Sequence, residues 1–126
     1  MRKQFPFEKL EVWQAARNLV GLVYQRTRQF PKAELYGLSS QINRSAVSVA
    51  NNLAEGSTRA SLKDQAHFSN QAYGSLTEMA SDFLIAKDLG FVTEEEIETV
   101  LNAAYDLGIR INNLQKSQLR RVNDNR

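Results

Sequence analysis

Apolar residues recur at steps of three and four along most of the chain, and nowhere do they settle into strand-like alternation. That spacing puts them on one side of an α-helix, and it predicts four helices and no strand. The first runs from about Glu8 to Gln29, where Leu10, Trp13, Ala16, Val20, Val23 and Thr27 form a stripe that Leu19 and Tyr24 broaden. Phe30-Pro31 ends it, because proline disfavours helical geometry in the residue before it. The second runs from about Glu34 to Glu55 on Leu35, Leu38, Ile42, Ser45, Val49 and Leu53, with Gly37 making its first turn irregular. Gly56 supplies a C-terminal stop, since glycine tolerates the left-handed conformation in which helices often end.

Ser61 followed by Asp64 resembles a capping box that opens the third helix, from Ser61 to about Leu89. Phe68, Ala72, Ser75 or Leu76, Met79, Phe83 and Ala86 line its apolar face, and Leu89-Gly90 closes it. Thr93 with Glu96 is a fuller capping box, and Glu94 and Glu95 put negative charge where the helix dipole favours it. The fourth helix carries Ile97, Val100 or Leu101, Ala104, Leu107, Ile111 and Leu114 to about Leu119, leaving a polar, frayed tail from Arg120 to Arg126. Short connections make successive helices antiparallel. The expectation is all-α: an antiparallel up-down-up-down four-helix bundle forming a single domain over residues 1–126.

One stretch departs from ordinary helix composition. Ser39 to Gly56 reads S-S-Q-I-N-R-S-A-V-S-V-A-N-N-L-A-E-G, apolar at helical spacing but otherwise rich in Ser, Asn and Gln, which are mediocre helix formers. Small polar residues let backbones approach and can hydrogen-bond across an interface. They point to contact with another helix, another subunit or a ligand.

A chain of 126 residues can bury a core without staples, and cysteine is absent, which removes disulfides and thiolate catalysis. The start, M-R-K-Q-F-P-F-E, has no apolar signal segment, and no run approaches the roughly 20 apolar residues of a membrane span. A soluble, cytoplasmic protein with no membrane association is expected. The net charge is only +2, but it is polarised: ten Lys and Arg against four Asp and Glu through Lys63, then six against ten. That distribution gives either a basic face for nucleic acid or two halves of a bundle attracting each other.

Candidate chemistry is sparse. His67 is the only histidine and has no cysteine or carboxylate cluster around it, so no metal and no cofactor are expected. Glu94, Glu95, Glu96 and Glu98 are explained by a first helical turn. There is no nucleophile elbow and no phosphate-binding glycine loop, so no catalytic residue is assigned and the protein is read as a non-enzyme. Trp13, Phe68, Phe83 and Tyr105 lie at or beside stripe positions and are expected in the core, whereas Phe5 and Phe7, flanking Pro6, either cover a bundle end or insert into a neighbouring subunit. Glu55 sits in the last turn of its helix, where the dipole disfavours a carboxylate by about 0.3–1 kcal/mol. With Asn51, Asn52 and Gly56 it reads either as a structural turn network, with Arg59 or the free amides of helix three as partners, or as a binding site. Arg44 and Arg59, then Arg17, Arg28 and Lys63, are the candidate nucleic-acid-binding residues.

The chain also resembles a known family, the four-helix-bundle proteins encoded in bacterial 23S ribosomal RNA intervening sequences. The resemblance runs from Phe7 to about Thr93 through F-E-K-L-E-V-W-Q-A-A (Phe7–Ala16), F-P-K-A-E-L-Y-G-L-S-S-Q-I (Phe30–Ile42), A-V-S-V-A-N-N-L-A-E-G (Ala46–Gly56) and A-Y-G-S-L-T-E (Ala72–Glu78). Ala50 stands where the family pattern commonly has proline, so a straighter second helix is expected here. The resemblance implies a homopentamer. It extends to the accessory protein of diversity-generating retroelements, a basic pentameric barrel that binds nucleic acid and a reverse transcriptase. The expected function is a non-enzymatic oligomer that binds RNA or DNA backbone. The alternative is a protein-interaction scaffold for an RNA-handling enzyme such as a reverse transcriptase.

Overall fold

The computed structural model describes residues 1–124 as four helices joined by short turns, with no strand among the described residues. α1 spans Glu11–Thr27, α2 Leu38–Ser57, α3 Leu62–Asp88 and α4 Glu94–Asp124, and 3-10 turns at Pro6–Lys9 and Lys32–Glu34 precede α1 and α2. The chain reverses at each short connection, giving the antiparallel up-down-up-down bundle. Each helix packs on the one before and after it, α4 closes back onto α1, and the backbones of neither diagonal pair come close among the described residues. The α2–α3 seam is the most extensive and the α1–α4 seam the thinnest.

The apolar stripes become the core. Leu19 and Val23 of α1, Ile42 and Val49 of α2, Met79 and Phe83 of α3, and Ile97, Val100 and Ile111 of α4 are all at most 2% exposed. Among the aromatics expected there, only Phe83 is fully buried: Trp13 and Phe68 are half-buried, and Tyr105 is 72% exposed. They sit at the flanks of their stripes, where a helical period alone does not separate the edge of a face from its centre.

Several element ends differ from the sequence reading. α1 starts at Glu11 rather than Glu8, because Leu10 is extended (ψ 121°) and Pro6 seeds a separate 3-10 turn. α2 starts at Leu38 rather than Glu34: after Pro31 the chain makes a tight turn, and Gly37 breaks it at φ −106°, ψ −114°. Leu35 and Tyr36 consequently lie exposed. α4 reaches Asp124 instead of fraying at Arg120, because Gln118 is buried and accepts a 2.8 Å bond from the Ser69 hydroxyl of α3. Asn125 and Arg126 of the expected tail lie outside the described residues.

Gly56 is not a left-handed stop. α2 runs through it to Ser57, and the positive-φ glycine among the described residues is Gly90 (φ 82°), which closes α3. α2 is also unbroken at Ala50.

The small polar residues of α2 tie it to its neighbours within the chain. Asn43 accepts from buried Thr27 of α1 at 2.8 Å, Ser48 bonds Ser75 of α3 at 2.9 Å, and the Gln41 amide donates to Asp82 of α3 at 3.2 Å. Ser61 caps α3 through the Asp64 amide at 3.0 Å, and Thr93 and Glu96 complete the reciprocal box opening α4.

Candidate functional site

The candidate arginines divide between two regions of one flank. Arg17, Tyr24 and Arg28 project from α1 within about 40° of one another, with Arg17 and Arg28 about 16 Å apart along the axis. The Thr27–Asn43 bond aligns α1 with antiparallel α2, so Arg28 and Arg44, each one residue further on in opposite directions, lie within about 3 Å of one level of the bundle. Tyr24, Arg44, Val47, Ser48, Asn51, Asn52, Ala54 and Glu55 line a broad depression over the outer face of α2. Arg59 and Lys63 lie at the opposite end of α2, about 20 Å along the axis from Arg44. Sequence spacing does not reveal that separation, which depends on which end of α2 each residue occupies.

None of Arg17, Arg28, Arg44, Arg59 and Lys63 forms an ion pair among the described residues. The pairs that do form use other charges: Arg2–Glu8, Arg26–Glu96 at 3.3 Å, Lys87–Glu94 at 2.9 Å and Arg110–Glu11 at 3.9 Å. Among the described residues, only Arg26–Glu96 joins the basic first half to the acidic second half in the sense that mutual attraction of the halves requires. Two of the candidate arginines instead lie over aromatic rings, Arg17 at 5.4 Å from the Trp13 centroid and Arg59 at 4.7 Å from Phe68. A guanidinium on a ring face keeps in-plane donors for an anion.

The turn from α2 to α3 is held by groups other than the carboxylate of Glu55. The Thr58 hydroxyl donates to the Glu55 carbonyl and the Ser57 hydroxyl to the Ala54 carbonyl, both at 2.7 Å, and the Gln65 amide donates to the Arg59 carbonyl at 2.8 Å. Asn52 donates to the Ser48 carbonyl one turn back at 2.9 Å. Gly56 is buried against Phe68, where an added Cβ would fall 2.8 Å from the Phe68 Cβ. Asn51 is exposed on the α2 depression. The Glu55 carboxylate makes no hydrogen bond or ion pair among the described residues, and neither Arg59 nor an α3 amide meets it.

Sequence reasoning left undecided what Phe5 and Phe7 do. They stack on each other (5.6 Å, 21°), and Phe7 meets Trp13 edge-on at 4.9 Å, so this strap covers the end of the bundle. With Ala54, Glu55, Ser57 and Thr58 it borders a notch of about 540 Å³. Two large aromatics flanking a proline ahead of the first stripe were the available signal.

The strap is pinned through Glu8, which accepts from the Arg2 guanidinium and, at 2.7 Å, from the Phe5 amide. Those bonds, with a weaker pull from Arg17, lower the Glu8 carboxyl to about 2. A carboxyl held lower in the folded state than in the unfolded one stabilises the fold above its ordinary value and loses that contribution as pH falls. The Phe5 amide resonance is therefore expected to titrate with a midpoint near 2, and Glu8→Gln to abolish that titration; a midpoint at the ordinary 4.5 would show the strap unpinned.

Other polar groups have local roles. Asp82 is buried and its carboxyl is raised, first by burial and then by the nearby Glu78 charge, with the Gln41 amide opposing. Glu94 pairs with Lys87, and Glu96 serves the Thr93 cap. His67 is exposed, 3.4 Å from the Gln71 amide nitrogen. No group of three or more metal-capable side chains occurs among the described residues, and no described helix is long and apolar enough to cross a membrane. On the opposite flank, Tyr73, Leu76, Leu101, Tyr105, Gly108 and Ile109 line an apolar groove of about 370 Å³ between α3 and α4.

The likeness to known proteins is strongest at the level of fold. No curated protein matches the sequence. Among solved structures, a protein of unknown function from the S23 ribosomal protein family of Bacteroides thetaiotaomicron superposes with a TM-score of 0.75 at 18% identity, covering 83% of this chain and 98% of that one. Residues 8–113 match the family model described as 23S rRNA-intervening sequence protein. A match over that span, on a four-helix bundle of this topology, means that the chain belongs to the 23S rRNA-intervening sequence protein family.

Proposed function

We propose that this protein is a non-catalytic binding protein that holds the backbone of RNA or DNA on its α1–α2 flank, without base readout by the arginines themselves. The observation that carries this reading is that Arg17, Arg28 and Arg44 share a face and take no part in ion pairs among the described residues. Cations left unpaired on one surface attract a polyanion and release its counterions on binding. Arg28 and Arg44 engage one stretch of phosphates, Arg17 a second further along α1, and Arg59 and Lys63 extend the track round the α2–α3 turn. Self-association, in five copies as the family likeness suggests, multiplies this weak surface into a multivalent one. The apolar α3–α4 groove, with Tyr105 72% and Ile109 50% exposed, suits such a contact. That same groove favours the second reading, a scaffold whose ligand is another protein.

Affinity for single-stranded RNA measured across salt concentrations tests the first reading. Each phosphate contact contributes about −0.7 to the log–log slope, so Arg28→Ala with Arg44→Ala should flatten it by about 1.4. A wild-type slope near zero removes the proposal. Binding of a protein partner that survives nuclease treatment favours the scaffold.

A further inference from the structure

Glu55 is the one feature of the α2–α3 turn that the fold does not use. Its carboxylate lies in the last helical turn, where the dipole disfavours it, and it meets no donor among the described residues. The hydroxyls beside it are committed to backbone carbonyls, and Arg59 is turned onto Phe68. Glu55 lines the notch under the N-terminal strap, a ligand-sized space, and its exposed side chain carries two acceptor oxygens with no partner among the described residues. The wall of that notch is aromatic. Phe5 is 64% exposed and is backed by Phe7, which is in turn braced by Trp13. A braced, exposed ring is a stacking platform.

A flat π-face beside a carboxylate fits two kinds of ligand, a nucleobase with a donor edge or a cationic side chain. The surrounding charge separates them. Lys3 and Lys9 flank the strap, Arg17 lies over Trp13, and Arg59 lies just past the turn. That field repels a cation and draws in a base attached to phosphates. Among the bases, guanine presents two adjacent donors, its ring N1–H and exocyclic amine, which match both oxygens of a carboxylate. Adenine and cytosine offer one amine, and uracil places its single N–H between two carbonyls that a carboxylate repels.

We propose that the notch formed by Phe5, Phe7, Glu55, Ser57 and Thr58 receives one unstacked guanine of a single strand, stacked on Phe5 and held through its donor edge by Glu55. This rests on the nucleic-acid reading above and adds base selectivity to it. Unstacked bases on aromatic side chains, read along an exposed edge, are the usual route to sequence preference in single strands.

Binding of the full chain to uridine strands of about ten nucleotides, carrying one central guanine, inosine or adenine, tests the proposal. The guanine strand should bind roughly tenfold tighter than the all-uridine strand. Inosine, which lacks the exocyclic amine, should lose most of that advantage. Glu55→Gln and Phe5→Ala both change exposed side chains, and thermal unfolding of each variant checks that the fold is kept. Glu55→Gln should erase the guanine preference without weakening the all-uridine strand. Phe5→Ala should weaken the guanine strand more than the others. Equal affinity of wild type for every strand overturns the guanine notch and leaves the backbone reading standing, whereas no binding of any strand overturns both. A guanine preference that survives Glu55→Gln overturns the notch, as does a short arginine peptide perturbing the Phe5 and Glu55 resonances when the guanine strand does not.

Discussion

Phe83→Ala is expected to destabilise the bundle by about 3–5 kcal/mol, the usual cost of removing a buried phenylalanine. Phe83 is fully enclosed near the end of α3, and its ring meets Phe30 edge-on at a centroid distance of 6.2 Å. Phe30 in turn touches Phe91 in the α3–α4 turn, so these rings join the end of α1 to the closing turn of α3. Truncation removes the transfer energy of the ring, leaves a cavity that rigid helices fill only in part, and forfeits about 0.5–1.5 kcal/mol of aromatic pairing. Against a typical total of about 5–15 kcal/mol, that loss populates unfolded chains measurably. Urea denaturation reads it directly: the midpoint should fall with an unchanged slope. A loss below about 1 kcal/mol would mean that the turn rings repack freely over the gap.

Gly56→Ala is expected to be destabilising by about 1–3 kcal/mol even though alanine is the better helix former. The backbone at Gly56 has no positive φ, so the cost is steric alone. The new methyl would meet the Phe68 Cβ at 2.8 Å, and that atom is fixed to the α3 backbone rather than at the tip of a flexible chain. Relief therefore requires α2 and α3 to separate along their most extensive seam. Gly21 and Gly74 are the internal control, since a Cβ at either meets nothing within 4 Å. Alanine at those helical positions should raise stability by about 0.5–1 kcal/mol. Thermal unfolding of the three variants distinguishes the signs, and a Gly56→Ala protein as stable as wild type would mean that the helices part without cost.

The helices were legible because the apolar period ran unbroken through each, and Thr93 with Glu96 marked a start that the hydrogen bonds reproduce. What escaped depended on neighbours distant in sequence. Gly56 looked like a terminator because a glycine near a helix end usually is one, and only the position of Phe68 shows that it admits a close crossing. Tyr105 fell next to the α4 stripe, but the curvature of a bundle decides which edge of a stripe is covered, and this one faces outward. α4 outran its apolar stripe because a polar pair, Ser69 and Gln118, anchors it where no apolar residue signals burial. The candidate site was half legible. Spacing alone put Arg17 and Arg28 along one face, but the Thr27–Asn43 bond was needed to bring Arg44 level with Arg28, and the unmet carboxylate of Glu55 emerged only once every nearby donor had been located.

The thin α1–α4 seam has a dynamic consequence. α1 is the shortest helix of the bundle and meets α4 through the least extensive contact, bridged by partly exposed ion pairs. Sub-global opening of such a fold begins where the fewest buried contacts are lost, so α1 is the segment that swings away first while α2 and α3 stay docked. Arg17 and Arg28 travel with it, and Arg44 remains behind. A polyanion held across α1 and α2, as proposed above, would thus act as a latch across this hinge. Such a ligand would bind the closed form, and its free energy of binding would add to the work of opening, so occupancy and rigidity would rise together.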